Sequence, residues 1–373
     1  MAVDLIDAAD GVFELVEAHA DKAEQQRRLP KRLVQALRDA QLFRMAVPEV
    51  YGGPEADPVT FVSAIERVSA ADGAAGWCTM IASTTSSMSL FMEPEFARAI
   101  FGDPKVITGG VFAPNGTAVR VGDEWQVSGR WQWGSGAQHC QFLTGGTTTD
   151  SGEFHLMFLD ARDVTIHDTW HTSGLRGTGS NDFSVERAAV PVGRSVQPGV
   201  SRPRVDSPLA AFPNFSLLAA GVAAVALGIA RHAIEEFTEL AQGKRPLFSA
   251  RTISQSGTAQ STLAKAEATV RSARAFLHSE LDAAWSRASA GDAVDVRTRA
   301  KIRLACVHAA RSSAAATDAV YTLGGGSSVF DGSPLQRCHR DVHVATQHLM
   351  VSPRLDETLG RLFFGIEVDT STL

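Results

Sequence analysis

The sequence predicts a mainly α-helical protein with a central β domain. Three observations carry this: helical spacing through roughly the first hundred residues, short alternating runs from about Val106, and an unbroken three-and-four seam in the last third. The boundaries that follow are residues 1–105 (helical), 106–205 (β) and 206–373 (helical bundle). The 373 residues are 44% hydrophobic and 20% charged, a balance that suits a chain with a sizeable core. Acidic residues outnumber basic ones, 41 to 35, without a basic block, so neither nucleic acid nor an anionic membrane is expected as partner. A small, weakly charged substrate fits better.

Each element has its own signal. In "PKRLVQALRDAQLF", Leu33, Leu37 and Ala40 form an apolar stripe. Pro48, Gly52, Gly53, Pro54 and Pro58 then make a loop, after which "VTFVSAIERVSAADGAAGWCTMIAS" resumes helix. "TAVRVGDEWQVSGRWQW" alternates about a Gly-Asp hairpin, and "EFHLMFLDA" and "NDFSVERAAV" read as further strands. Beyond the linker "VGRSVQPGVSRPRVDSP", the run "LLAAGVAAVALGIA" is too short to span a bilayer comfortably and reads as a buried helix. Leu263, Ala266, Val270, Ala273, Leu277, Leu281 and Ala284 keep the seam of long helices packed side by side. Cys78, Cys140, Cys306 and Cys338 lie far apart without metal-ligand spacing, so packing thiols and no metal centre are expected. The acidic N-terminal stretch lacks the pattern of an export signal, and a cytoplasmic location is expected.

Three stretches in this order resemble the acyl-CoA dehydrogenase superfamily over nearly the whole chain: "LPKRLVQALRDAQLFRMAVPEVYGG", "VGDEWQVSGRWQWGSGAQH" and "LGGGSSVFDGSPLQRCHRD". The resemblance implies an N-terminal helical domain, a small β barrel and a C-terminal four-helix bundle, assembled as a homotetramer with flavins at subunit contacts. A dehydrogenase of this kind needs a carboxylate base against its substrate. In the main branch that Glu stands eight residues after the Arg-Asp pair, a register that falls on Leu349 here. The other usual place, the start of the long bundle helix, reads "FSLLAAGVAAVALGIA" and holds no acid.

With both places empty, the chain is similar to the oxygenase branch, the two-component flavin-dependent monooxygenases. These accept reduced flavin (FADH2 or FMNH2) from a separate reductase and use O2, through a flavin C4a-hydroperoxide, to hydroxylate aromatic or polycyclic small molecules. The branch's working histidine in the "RDxxxxxxH" segment matches His348, and its flavin-side hydroxyl matches Ser135 in "WQWGSG". Ser135 would then bond flavin N5 while Trp133 packs on the ring and excludes water. His348 would either deprotonate the substrate or protonate the leaving oxygen. Gly325 and Gly326 would admit the cofactor phosphate or adenosine, one of Arg245 and Arg251 would pair with a phosphate across the subunit boundary, and Gln260 would contact the nucleotide. Phenol-hydroxylating members draw a further His from the N-terminal domain, which "GWCTMIASTTSSMSLFMEPEF" lacks.

Plainer readings stand beside these. His348 alone, on a helix flanked by apolar residues, is more often a bonded core histidine, and His343 reads first as structural or surface and only second as lining the site. Ser135 could end a strand, the glycines could cap a helix, and both arginines could be solvated. His139, Trp170, His171 and Arg176 fall near the expected flavin edge but equally suit turns or barrel packing. "GLRGTGSND" has the wrong spacing for a dinucleotide loop, so no nicotinamide site is expected.

Overall fold

Asp4 starts the first helix by accepting the N–H groups of Ile6 and Asp7, the satisfaction that orphan amides at a helix start require. The computed structural model describes residues 3–371 and 373. Among the described residues, five helices form the N-terminal part: α1 (Leu5–Gln26), α2 (Lys31–Asp39), α3 (Pro58–Ala71), α4 (Gly73–Ser86) and α5 (Pro94–Phe101). The Pro-Gly stretch between α2 and α3 breaks the helix as expected, holding only a short 3-10 turn at Glu49–Tyr51. Asp57 then caps α3 with Pro58 at its first position, and Asp72 caps α4 through Ala75 N–H.

Seven strands follow: β1 (Thr108–Val121), β2 (Glu124–Gly134), β3 (Phe142–Thr149), β4 (Phe154–Asp160), β5 (Thr165–His167), β6 (Asn181–Pro191) and β7 (Ser195–Val196). They lie in the order β5-β6-β2-β1-β3-β4-β7, antiparallel except for β1 with β3. The Gly-Asp hairpin forms as read: Val121 pairs with Glu124 across two residues, and Gly122 takes φ +63. Trp131 is fully buried beneath this sheet, donating its indole N–H to Gly146 O at 2.7 Å and stacking on Phe183 at 5.2 Å. The glycines around it are spacers, since a Cβ at Gly145 would lie 2.5 Å from the indole and one at Gly129 2.8 Å.

The C-terminal helices are α6 (Pro208–Ala211), α7 (Asn214–Gly243), α8 (Gly257–Ser289), α9 (Val296–Gly324), α10 (Pro334–Ala345) and α11 (Leu355–Phe363). In α8 the seam from Ala266 to Ala284 is buried as its spacing requires, with Leu263 at its half-buried start. Helix α7 is the axis of the molecule, packed by α3, α4, α9 and α10. Small residues make that possible: a Cβ on Gly221 would lie 2.5 Å from the Met80 side chain, and one on Gly228 2.5 Å from Ser69 Cβ. Among the described residues α7 is the one helix long and apolar enough to cross a membrane, but 94% of its apolar window is buried inside the protein.

Candidate functional site

The sheet, helix α4 and the segment after α10 meet at three side chains. Ser135 stands just beyond β2, 5% exposed, and its Oγ accepts the indole N–H of Trp77 on α4 at 3.0 Å. The Trp77 ring in turn meets the His348 imidazole edge-on, with centroids 5.6 Å apart. One tryptophan therefore ties together the two residues that the sequence picked out separately. Trp77 was missed because "GWCTMIAS" reads as ordinary buried helix, and only the tertiary approach of residues far apart in sequence reveals its indole N–H as a fixed donor.

His348 differs from its sequence reading in one respect. Helix α10 stops at Ala345, and His348 stands beyond it as the cap of a 3-10 turn, its Nδ1 accepting Met350 N–H at 3.2 Å. The side chain competes for a backbone donor and so helps end the helix. With Nδ1 accepting, the neutral ring carries its proton on Nε2. The residue is half-buried, and burial of its imidazole, with the Arg303 charge, pulls its pKa down to about 4. His348 is therefore neutral at physiological pH and offers an N–H. Leu349, at the register of the missing base, is 68% exposed.

Ser135 is equally constrained. Its Oγ lies 2.7 Å from Ser180 Oγ, which lies 2.6 Å from Thr178 Oγ1, which donates to Leu175 O at 2.8 Å. Trp133, two residues before Ser135, sits at φ +67 and is 63% exposed. A tryptophan held in that backbone conformation with its ring uncovered fits a platform for a flat aromatic cofactor.

The loop carrying Thr178 is clamped by α10. Asp341 Oδ1 accepts Leu175 N–H at 2.6 Å, and Arg340 donates to Ser173 O and to Glu24 of α1. A Cβ at Gly174 would lie 2.8 Å from Asp341 N, so only glycine lets the loop reach the helix. Asp341 is fully enclosed next to Asp72, and burial followed by that neighbour raises its pKa to about 7. An unfolded aspartate ionises near 4, so stability should fall as pH rises from about 4 to about 7, by at most about 1.4 kcal/mol per pH unit, and level above. Asp341→Asn keeps an acceptor for Leu175 N–H. Denaturation from pH 5 to 8 should show the wild-type losing ground to this variant as pH rises, and parallel curves would contradict the assignment.

The remaining sequence candidates divide. Trp170 donates its indole N–H to Leu175 O, Arg176 donates to Thr172 O, and His171 pairs with Asp168, so all three serve the clamp loop. His139 packs on Phe43 at 5.5 Å, and burial lowers its pKa to about 4. His343 turns to Asp318 at 2.8 Å. All four cysteines are buried free thiols.

Gly325, Gly326, Arg245, Arg251 and Gln260 belong to a different place. Gly325 takes φ +56 and Lys244 donates to Gly324 O at 2.5 Å, which joins the end of α9 to the loop carrying exposed Arg245 and Arg251. Exposed Gln260 donates to Ser254 O. Arg303, in reach of Met350 beside His348, stands near the start of α9, and Gly324 ends it. At 1.5 Å per residue roughly 30 Å separates them. One chain thus holds the Ser135–Trp77–His348 cluster and the exposed Arg-Gly group apart.

Comparison with known proteins identifies the family. The family models "Acyl-CoA dehydrogenase, N-terminal domain" and "Acyl-CoA dehydrogenase, C-terminal domain" match residues 7–94 and 220–353. An indole-3-acetate monooxygenase of Pseudomonas putida is 32% identical over 95% of this chain and 92% of its own length. The oxygenase subunit HsaA, a flavin-dependent monooxygenase of Rhodococcus jostii, is 28% identical over 92% of this chain and 94% of its own. Among solved structures, the 3-HSA hydroxylase from Rhodococcus sp. RHA1 superposes with a TM-score of 0.91 at 26% identity, covering 99% of both chains. XiaF from Streptomyces sp., in complex with FADH2 and glycerol, gives 0.91 at 26% identity, covering 97% of this chain and 95% of its own.

Proposed function

Because this chain belongs to the acyl-CoA dehydrogenase family, and within it to the flavin-dependent monooxygenases, we propose that Ser135, Trp77 and His348 form its hydroxylation site and that its substrate is an aromatic or polycyclic small molecule. The observation that carries this reading is Trp77, bonded to Ser135 and edge-on to His348. Bound reduced flavin supplies the electrons that activate O2, so that one oxygen atom enters the substrate and the other leaves as water. With flavin bound, Ser135 Oγ would be the bonding partner for N5 and Trp133 would shield the ring from solvent, which would slow loss of reducing power as peroxide. His348 donates its Nε2–H to an oxygen at the reacting centre. With a pKa of about 4 it stays neutral, so it acts as a fixed donor without needing protonation.

Among the described residues no carboxylate is hydrogen-bonded to Ser135, Trp77 or His348, which separates this reading from a dehydrogenase. The span along α9 supports a site completed by another copy, and in the homotetramer that the family resemblance implies, Gly325, Gly326, Arg245, Arg251 and Gln260 would serve the nucleotide end of a flavin held there. A separate reductase supplies the reduced flavin, FMNH2 or FADH2, and the protein acts in the cytoplasm.

Indole-3-acetate, on which the Pseudomonas putida relative is named to act, is the first substrate to test. Protein, reduced flavin and oxygen are incubated with a panel of indoles, phenols and fused-ring compounds, and products are followed by mass spectrometry. A gain of one oxygen on an aromatic member is expected, and peroxide as sole product across the panel would overturn the reading. Ser135→Ala should release several times more peroxide per turnover. Unchanged coupling would remove Ser135 from its N5 role.

A further inference from the structure

Resting on the assignment of Ser135 to N5, we propose that Ser180 and Thr178 are positioning residues that make Ser135 a hydrogen-bond acceptor only, and so set the site's preference for reduced over oxidised flavin. The order of protons follows from one end of the chain. Thr178 spends its only O–H on Leu175 O, at 2.8 Å. The 2.6 Å bond to Thr178 must therefore be donated by Ser180, and the 2.7 Å bond to Ser180 must be donated by Ser135. Trp77 N–H fills one lone pair of Ser135 Oγ at 3.0 Å, which leaves a single lone pair and no proton.

Ser135, Ser180 and Thr178 are 5%, 3% and 2% exposed, so bulk water offers no other acceptor, and reversing the chain toward oxidised N5 would cost the bond from Thr178 to Leu175 O. Its anchor is fixed as well: Leu175, at φ +47, has its N–H bound by Asp341 and its carbonyl shared with Trp170. Flavin N5 carries a lone pair when oxidised and an N–H when reduced. An acceptor facing it bonds the reduced form and sets two lone pairs against each other in the oxidised form.

The test compares affinities for oxidised flavin in air and for reduced flavin under anaerobic conditions, in wild-type, Ser180→Ala, Thr178→Val and Ser180→Thr. Either of the first two changes frees the Ser135 proton to point at N5. Oxidised flavin should bind about tenfold more tightly relative to reduced flavin, which raises the reduced form's relative energy and lowers the bound two-electron potential by about 30 mV. Ser180→Thr should keep the wild-type ratio. Flavin bound with an unchanged ratio in both Ser180→Ala and Thr178→Val would overturn the proposal while leaving the flavin site intact. Failure of wild-type to bind either form would instead overturn the reading of the site on which the proposal rests.

A different observation carries a second inference. Asp318 Oδ1 on α9 lies 2.8 Å from His343 Nε2 and 3.3 Å from His339 Nε2, both on α10 and one turn apart, with all three ligand atoms within 4.8 Å of one another. His339 is steadied by stacking on Tyr321 at 4.4 Å. Ligands bound about 2.0–2.1 Å from a tetrahedral ion stand about 3.4 Å apart, a spacing that the two contacts to Asp318 approach and that a small rotation of the imidazoles, within 4.8 Å of each other, would complete. We infer a His2Asp site for Zn2+, with water completing the coordination. Tag-free protein titrated with Co2+ should develop the absorbance of four-coordinate cobalt, displaced by Zn2+ and absent in His343→Ala and Asp318→Asn. No such spectrum in wild-type, or its survival in both variants, would overturn the site.

Discussion

His348→Ala is expected to lower the rate of product formation by about 100-fold or more while leaving flavin affinity unchanged. The imidazole lies against Trp77 and caps a single 3-10 turn, so its removal disturbs little packing but deletes the donor at the reacting centre. His348→Asn separates the possible roles. An amide can donate a hydrogen bond but cannot take a proton, so a donor role predicts that Asn recovers on the order of tenfold of the lost rate. A base would show no recovery. Wild-type activity should also lack an inflection near pH 6.5, because burial and Arg303 have moved this histidine to about 4. Full activity in His348→Ala, measured as product per reduced flavin, would remove His348 from the mechanism.

Trp131→Ala is expected to cost about 3–5 kcal/mol of stability, the range for emptying a large buried aromatic site. The indole is fully buried, stacked on Phe183, bonded to Gly146 O and enclosed by glycines that cannot fill the space it leaves. It belongs to β2, the strand that ends at Gly134, one residue before Ser135, so flavin binding should weaken along with the fold. Chemical denaturation reads the first effect directly. A loss under about 1 kcal/mol, the level of an ordinary substitution, would contradict this account of the sheet's core.

Much of this was legible in the sequence, for physical reasons. The seam in α8 and the Gly-Asp hairpin are local signals, periodicity in one case and turn chemistry in the other, and both formed as read. Ser135 and His348 were found by resemblance to a family pattern, which carries tertiary information that composition does not. What the sequence hid was relational. Trp77 looked like core, and "GLRGTGSND" registered only as a failed dinucleotide loop, yet it contains Thr178 and Ser180, whose hydroxyls order the proton on Ser135. The Arg340-Asp341 pair served in the sequence as a ruler for a missing glutamate. In the fold it is the clamp that holds Leu175, and with it that hydroxyl chain. The end of α10 was misjudged because a side chain took over a backbone donor, which periodicity does not register.

The central claim is that this site passes an oxygen atom from O2 to an aromatic substrate and does not draw a proton and hydride from a thioester. Incubation of protein, reduced flavin and indole-3-acetate or its best replacement under isotopically heavy dioxygen tests it most directly. One heavy oxygen per product molecule is predicted, together with no bleaching of oxidised flavin by an anaerobic acyl-CoA panel. Product without the label, or flavin bleached by an acyl-CoA, would contradict it.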